Sequence, residues 1–173
     1  ALARDREGMP ARAIAALEEA RSHYEALTQV DPEGNTHLEE ATVAWRDNYV
    51  NCLEHLVLVH AKLNQKDAAL EAAERAVCVL RTLPEVEPYT EWLAYALGRL
   101  GICLSDVGRH TDALLVDTEM LNLFMLLCDE LGLRFAEAVD CALANIAVDL
   151  RDLGRSETEI ENQLGALISR ELD

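Results

Sequence analysis

The chain has 173 residues, of which half are apolar and 5% aromatic, and its 15 basic and 32 acidic side chains give a formal net charge of −17. The length suffices for one domain with a continuous core, and the charge disfavours phosphate backbones as partners and favours neutral or basic ones. The first residues, ALARDREG, are not a signal sequence and no run of 18 uncharged apolar residues occurs, so no membrane span is expected. A cytoplasmic location is expected because the five cysteines show no disulfide pattern and fit a reducing compartment.

The predicted elements are all helices. Ala, Leu and Glu are abundant and favour helix, whereas the β-branched and aromatic runs typical of strands are missing. Pro10 and Pro88 suit the first turns of helices, and Pro84 suits the end of one. Seven helices are expected, with ends placed to within about 2–4 residues: about 10–30, 36–63, 66–83, 88–107, 110–131, 133–153 and 156–172.

Two of the helix starts carry a capping box, in which Ser or Thr is followed three residues later by Glu. These pairs are Thr36 with Glu39 and Ser156 with Glu159. The chain begins with Ala1 in what resembles the middle of a helix. A single helical domain over residues 1–173, belonging to a larger protein, is therefore expected.

A pattern of turn and small residues recurs along the chain. A turn residue is followed five and twelve positions later by small or flexible residues, because close helix crossings need small side chains. The turns with their followers are Gly8 with Ala13 and Ala20, Asn64 with Ala69 and Ala76, Gly108 with Ala113 and Met120, and Gly154 with the degenerate Glu159 and Ala166. Seven residues before a turn stand Gly101 and Ala147, whereas Val57 breaks this rule.

Short sequence words carry a resemblance to a known family. Gly8-Met-Pro-Ala-Arg-Ala-Ile, Asn64-Gln-Lys-Asp-Ala-Ala-Leu and Gly108-Arg-His-Thr-Asp-Ala-Leu resemble the turn and second-helix start of tetratricopeptide repeats, and Leu97, Leu100, Gly101 and Leu104 resemble a first helix. The resemblance implies a right-handed array of antiparallel helical hairpins, an α-solenoid. Turn-to-turn distances of 56, 44 and 46 residues exceed the standard repeat of about 34, so the helices are expected to be longer.

No enzyme signature is present, and neither catalytic residues nor a cofactor are expected. The five cysteines lack a CxxC pair, so neither a disulfide framework nor a zinc site is indicated. The best metal-ligand candidates are Cys52, His55 and His60. His60 lies about 140° around the helix from His55, so the three do not share one face and no metal site is expected.

The resemblance implies a concave groove lined by the first helices of the hairpins, which would hold an extended peptide or a partner helix. Counting back from each turn residue, the candidate groove residues are Asn51, His55, Leu58, Tyr95, Arg99, Ile102, Asn145 and Val148, with Cys141 at one equivalent position. They combine polar side chains, which could hydrogen-bond a ligand, with aliphatic side chains that would form the base of the groove. The alternative is that they are exposed helix residues without a role.

A second candidate surface lies on the helix that contains residues 114–131. Leu123 to Cys128 are six consecutive apolar residues, more than one face of a surface helix buries. Either this helix is enclosed by its neighbours, or Leu123, Phe124 and Leu127 meet another subunit or another part of a larger protein.

The sequence therefore predicts a non-catalytic protein–protein interaction or regulatory scaffold that binds a peptide or partner segment in the groove. The partner is expected to be a neutral or basic protein or peptide, without direct nucleic acid or membrane binding. The alternative is an oligomerisation or autoinhibitory domain of a larger signalling or transcription regulator, which uses the apolar helix and forms a homo-oligomer or folds back on its own chain.

Overall fold

The computed structural model describes residues 2–27, 42–83 and 88–169. Seven α-helices and no strand occur in these ranges, which confirms the all-α prediction. They are α1 (Leu2–Leu27), α2 (Thr42–Lys62), α3 (Lys66–Leu80), α4 (Tyr89–Asp106), α5 (His110–Leu131), α6 (Ala136–Asp152) and α7 (Glu157–Ser169), and a 3₁₀ turn over Leu133–Phe135 precedes α6. The contacts divide the chain into unit 1 (Ala1–Thr82) and unit 2 (Leu83–Asp173).

The first helix differs most from the prediction. A turn at Gly8 and a helix start at Pro10 were expected, but α1 begins at Leu2 and continues through both residues. Pro10 removes one helical hydrogen bond, and the good helix formers on both sides of it allow the helix to continue. The prediction of a turn at Gly8 is therefore wrong. The predicted capping box at Thr36 and the helix end at Pro84 lie outside the described residues.

The other three predicted turns share one geometry. Asn64, Gly108 and Gly154 have positive φ angles of 56°, 81° and 78°, the left-handed conformation that ends many helices. After each turn residue, the next N–H donates to the carbonyl five residues earlier. These bonds are Gln65 to His60 (2.9 Å), Arg109 to Leu104 (2.9 Å) and Arg155 to Leu150 (3.0 Å). The repeated turns make α2–α3, α4–α5 and α6–α7 into helical hairpins.

Unit 1 is built around α2, which packs against α1 and α3. α3 presents an alanine-rich face that allows close approach, and Ala69 and Ala76 are buried at the spacing predicted from the turn. The buried Tyr49 hydroxyl accepts a hydrogen bond from Arg75 Nε at 3.2 Å. Leu53 and Leu56 of α2 are also buried in the core of this unit.

Unit 2 places α5 between α4 and α6, and α4 also contacts α6 directly. Phe124 is only 1% exposed, and its ring centroid lies 6.0 Å from that of Phe135. Leu127 is buried as well, whereas Leu123 is half-buried. Phe124 and Leu127 of the apolar run thus lie in the core, whereas Leu126 of the same run is 46% exposed.

The last helix starts as predicted. The Ser156 N–H donates to Glu159 Oε2 at 2.9 Å, and the Glu159 N–H returns a bond to Ser156 Oγ at 3.4 Å. This reciprocal pair is the capping box, and its hydrogen bonds lower the pKa of Glu159. α7 packs on α6, and Ile160 is its buried residue.

Candidate functional site

The predicted groove residues lie on α2, α4 and α6, the first helix of each hairpin. Six positions before the three turn residues stand Leu58, Ile102 and Val148, exposed by 44%, 57% and 49%. The positions thirteen before the turns, Asn51, Tyr95 and Cys141, are also exposed. The same register therefore leaves an accessible aliphatic side chain on every first helix.

In unit 2 these side chains belong to two helices that contact each other. We name the exposed residues Tyr95 and Ile102 of α4 and Cys141 and Val148 of α6 the α4–α6 surface. Exposed aliphatic side chains on neighbouring helices provide apolar area that a partner can cover. In unit 1 the equivalent positions are on α2 alone.

Tyr95 is supported from the core. Its ring packs edge-on against Phe124, with centroids 5.1 Å apart and planes at 69°, a favourable aromatic geometry. Sequence reasoning treated Tyr95 and Phe124 as parts of two competing surfaces. The structure joins them, because the buried Phe124 ring holds the exposed Tyr95 ring in place.

The predicted polar anchors are less accessible than the aliphatic residues. The exposed His55 contacts the Asn51 carbonyl oxygen through Nδ1 at 2.7 Å. Arg99 and Asn145 are half-buried, and the Asn145 side chain is hydrogen-bonded to Asp117. The expectation was that the Asn145 amide faces a ligand, but this amide already has a partner inside unit 2.

Asp117 of α5 and Asp149 of α6 form a buried carboxyl pair, and each is only 2% exposed. The two carboxyl groups are within hydrogen-bonding reach of each other. The Ser105 hydroxyl on α4 donates to Asp149 Oδ1 at 2.5 Å. Gly101 leaves room for the pair, because a Cβ at this position would overlap the Asp117 carboxylate.

Burial shifts the ionisation of this pair. The pKa of Asp117 rises to about 8, first because the carboxyl is removed from water and then because of the negative charge of Asp149. Burial also raises the pKa of Asp149, while the Ser105 hydroxyl bond opposes that rise. The two groups titrate as a coupled pair.

Sequence reasoning missed the pair, although a signal was present. Asp117 occupies the apolar stripe of α5, four residues after Ala113 and three before Met120. Asp149 lies three residues after Ile146 in the stripe of α6. An acid at a core position of an amphipathic helix must be neutralised or paired, and two such acids on successive helices could have been identified from the spacing alone.

The metal-ligand candidates of unit 1 each have another partner. The Cys52 thiol donates to the Leu17 carbonyl at 3.2 Å, and burial followed by the charge of Glu18 raises its pKa. His60 Nδ1 contacts the Gln65 side-chain oxygen at 2.7 Å. Within the described ranges, no group of three or more His, Cys, Asp or Glu side chains is arranged to hold a metal ion. Nor does any helix there have the length and apolar character to cross a membrane.

The fold and the accessible surface define an all-helical protein built of hairpins. The family described as "Bacterial transcriptional activator domain" (BTAD) matches residues 1–145, and the chain therefore belongs to this family of helical regulatory domains. The match includes α1 to α5 and ends within α6. No curated protein and no solved structure matches the chain significantly.

Proposed function

We propose that this chain is a non-catalytic regulatory domain of a bacterial transcription activator, and that it binds a protein segment on the α4–α6 surface. Membership of the BTAD family supports the regulatory role. One structural observation carries the choice of surface: the exposed aliphatic residue recurs at the same register on α4 and α6, two helices that contact each other. Such a regulator works in the cytoplasm, where its free cysteines stay reduced.

The hairpins are proposed to be tetratricopeptide-type repeats with long helices, forming one domain over residues 1–173. Three equivalent turns support this proposal. Ala69, Ala76 and Ala113 are buried at the predicted distances from those turns. In such repeats the first helices present the binding surface, which agrees with the accessibility of Ile102 and Val148.

The charge of unit 2 indicates the chemistry of the partner. Unit 2 contains 18 acidic and six basic side chains. Three of its arginines lie in ion pairs with acids: Arg109 with Asp112, Arg134 with Glu91, and Arg151 with Glu157. The remaining negative field attracts a basic segment, tolerates a neutral one and disfavours nucleic acid. The proposed occupant is therefore a protein segment with apolar side chains and flanking Lys or Arg residues.

A reporter experiment tests this function. The chain is fused to an unrelated DNA-binding domain, and the DNA site of that domain lies upstream of a reporter gene in bacterial cells. We expect activation, and we expect the double variant Ile102→Asp, Val148→Asp to reduce it at least about tenfold, because two carboxylates would be desolvated against an apolar partner. Circular dichroism would verify that the variant keeps its helices.

Leu115→Asp combined with Leu126→Asp is the matched control. Leu115 and Leu126 are 66% and 46% exposed on α5, so these two substitutions introduce the same charge outside the α4–α6 surface. It should activate like the unmodified fusion. Equal loss in the control and the double variant, or full activation by the double variant, would contradict the choice of surface.

The second candidate function is oligomerisation through α5. Leu115 and Leu126 are exposed on this helix, and this observation favours a surface that differs from the predicted Leu123, Phe124 and Leu127. Light scattering separates the two functions. A monomer supports docking of another protein, whereas a dimer that Leu115→Asp dissociates supports oligomerisation.

A further inference from the structure

The buried carboxyl pair of unit 2 contains two oxygen atoms without a hydrogen-bond donor. These are Asp117 Oδ1 and Asp149 Oδ2, both shielded from solvent. Ionised carboxylates only accept hydrogen bonds, so no arrangement of two carboxylates lets them satisfy each other. A proton on one carboxyl changes this, because the protonated group becomes a donor to the other.

Three protonation states of the pair are conceivable, and physical chemistry ranks them. Two negative charges at hydrogen-bonding distance inside a protein repel each other strongly, since water does not screen them. Two protons would place a second donor where the Ser105 hydroxyl already donates to Asp149. One proton and one negative charge leave Asp149 accepting from both Ser105 and Asp117.

We propose that Asp117 and Asp149 hold one proton between them at neutral pH, and that this shared proton joins α5 to α6. Its loss in mildly alkaline solution leaves two adjacent buried charges and loosens the packing of α4, α5 and α6. Unit 2 therefore contains a proton-dependent link between α5 and α6, beside Asn145, whose amide is hydrogen-bonded to Asp117.

The groups around the pair are consistent with this link. From α4, the Ser105 hydroxyl faces Asp149, and from α6 the Asn145 amide faces Asp117. His110 at the start of α5 and Asp152 at the end of α6 act on Asp149 with opposite signs. His110 Nδ1 lies 3.5 Å from Asp152 Oδ2, so these two outer groups offset each other in part.

The direction of the pH dependence follows from the raised pKa. Asp117 has a pKa of about 8 in the folded chain and about 4 when unfolded. The folded state therefore binds the proton more tightly. The stabilising contribution of the bound proton is complete below the pKa that Asp117 has in the unfolded chain. It decreases as the pH rises and is lost above about pH 8.

Thermal unfolding at pH 6 and pH 9 tests the proposal. We expect the melting temperature of the unmodified chain to fall by at least about 5 °C over this interval. Asp117→Asn supplies an uncharged donor in place of the shared proton, so the fall should shrink to less than about half. At pH 9 this variant should melt above the unmodified chain.

Two exposed aspartates serve as controls for the loss of one negative charge. Asp129→Asn lies on α5 and Asp140→Asn on α6, the same two helices as the pair. Both should keep the full pH dependence of the unmodified chain. If the controls flatten the dependence as much as Asp117→Asn, general charge repulsion explains it and the proposal is wrong.

Carbon-13 NMR of the aspartate carboxyls tests the same claim without any substitution. We expect the Asp117 and Asp149 signals to shift together, with a transition near pH 8. Independent titration of both near pH 4 would overturn the proposal. So would a rise of the melting temperature at pH 6 on addition of Mg²⁺ or Ca²⁺ that Asp117→Asn abolishes, because a cation would then hold the pair at a pH where the proposal assigns it a proton.

Discussion

Unit 1 and unit 2 have the same turns but fill their helix crossings with different chemistry. Seven residues before and nine residues after the turn residue, unit 1 has Val57 and Ala73, both buried. The same positions of unit 2 are Gly101 and Asp117. Where unit 1 pairs a larger apolar residue with a small one, unit 2 pairs a glycine with an acid.

This difference explains why Val57 departs from the small-residue rule of the sequence pattern. The pattern does not require a small residue at one fixed position, because volume on one helix is compensated on the other. Gly101 is needed because the Asp117 side chain extends toward α4. Val57 is acceptable because the short Ala73 side chain does not extend toward α2. The comparison teaches that the two positions must be interpreted as a pair.

The largest expected effect comes from rebuilding the crossing of unit 1 in unit 2. Gly101→Val alone should cost about 3 kcal/mol, because its Cβ overlaps the Asp117 carboxylate. Adding Asp117→Ala should recover about 1–3 kcal/mol. Denaturant unfolding of the two single variants and the double variant measures this coupling. Additive effects would show that Gly101 and Asp117 are not a compensating pair.

Gly165→Val is the control for the intrinsic effect of the substitution. Gly165 lies in α7 with no atom within 4 Å of its added Cβ, so this variant reports helix propensity alone. We expect a change within about 0.5 kcal/mol. A loss as large as that of Gly101→Val would remove overpacking as the explanation.

A smaller effect is expected at the start of two second helices, α7 of unit 2 and α3 of unit 1, which differ in their capping. α7 of unit 2 begins with the Ser156 capping box, whereas the N-cap of α3, Gln65, makes no side-chain capping bond. Ser156→Ala should lower stability by about 1 kcal/mol, seen as earlier fraying of α7 in amide exchange. Gln65→Ala removes the contact with His60 of α2 but no capping bond, so amide exchange in the first turn of α3 should not change. Fraying of α3 equal to that of α7 would contradict the difference.

The smallest expected change in stability is at Leu58, the unit 1 counterpart of Ile102 and Val148. Because this side chain is exposed, Leu58→Asp should change stability by no more than about 0.5 kcal/mol. We expect reporter activation to stay within about twofold of that of the unmodified fusion, because Leu58 lies on α2 of unit 1 and not on the α4–α6 surface. A stronger loss than the double variant would move the main docking surface to unit 1.

Much of the fold follows from local chemistry. Helix α5 matches its predicted range, because Gly108 and Gly132 bound an unbroken run of helix formers. The capping box at Ser156 was predicted from two residues. The start of α1 was not, since Gly8 and Pro10 are turn residues by type and only the wider context makes them helical.

The candidate site was only partly predictable. Counting from the turns found Leu58, Ile102 and Val148, because a repeated register repeats accessibility. The engagement of Asn145 with Asp117 depends on how α5 and α6 pack, which no local pattern specifies. The role of Phe124 beneath Tyr95 is likewise a tertiary contact.

The central claim is that a proton stabilises the crossing of unit 2 and that unit 1 has no such dependence. Each unit contains a buried and an exposed cysteine, Cys52 with Cys78 in unit 1 and Cys103 with Cys141 in unit 2. Pulsed thiol alkylation followed by mass spectrometry measures the labelling of the buried cysteine relative to the exposed one. This ratio reports opening of each unit and corrects for the pH dependence of thiol chemistry.

Between pH 7 and pH 9, the ratio for Cys103 over Cys141 should rise about tenfold, the equivalent of one pKa unit, while the ratio for Cys52 over Cys78 stays within about twofold. Asp117→Asn should abolish the rise in unit 2. Parallel changes in the two units, or an earlier rise in unit 1, would contradict the account.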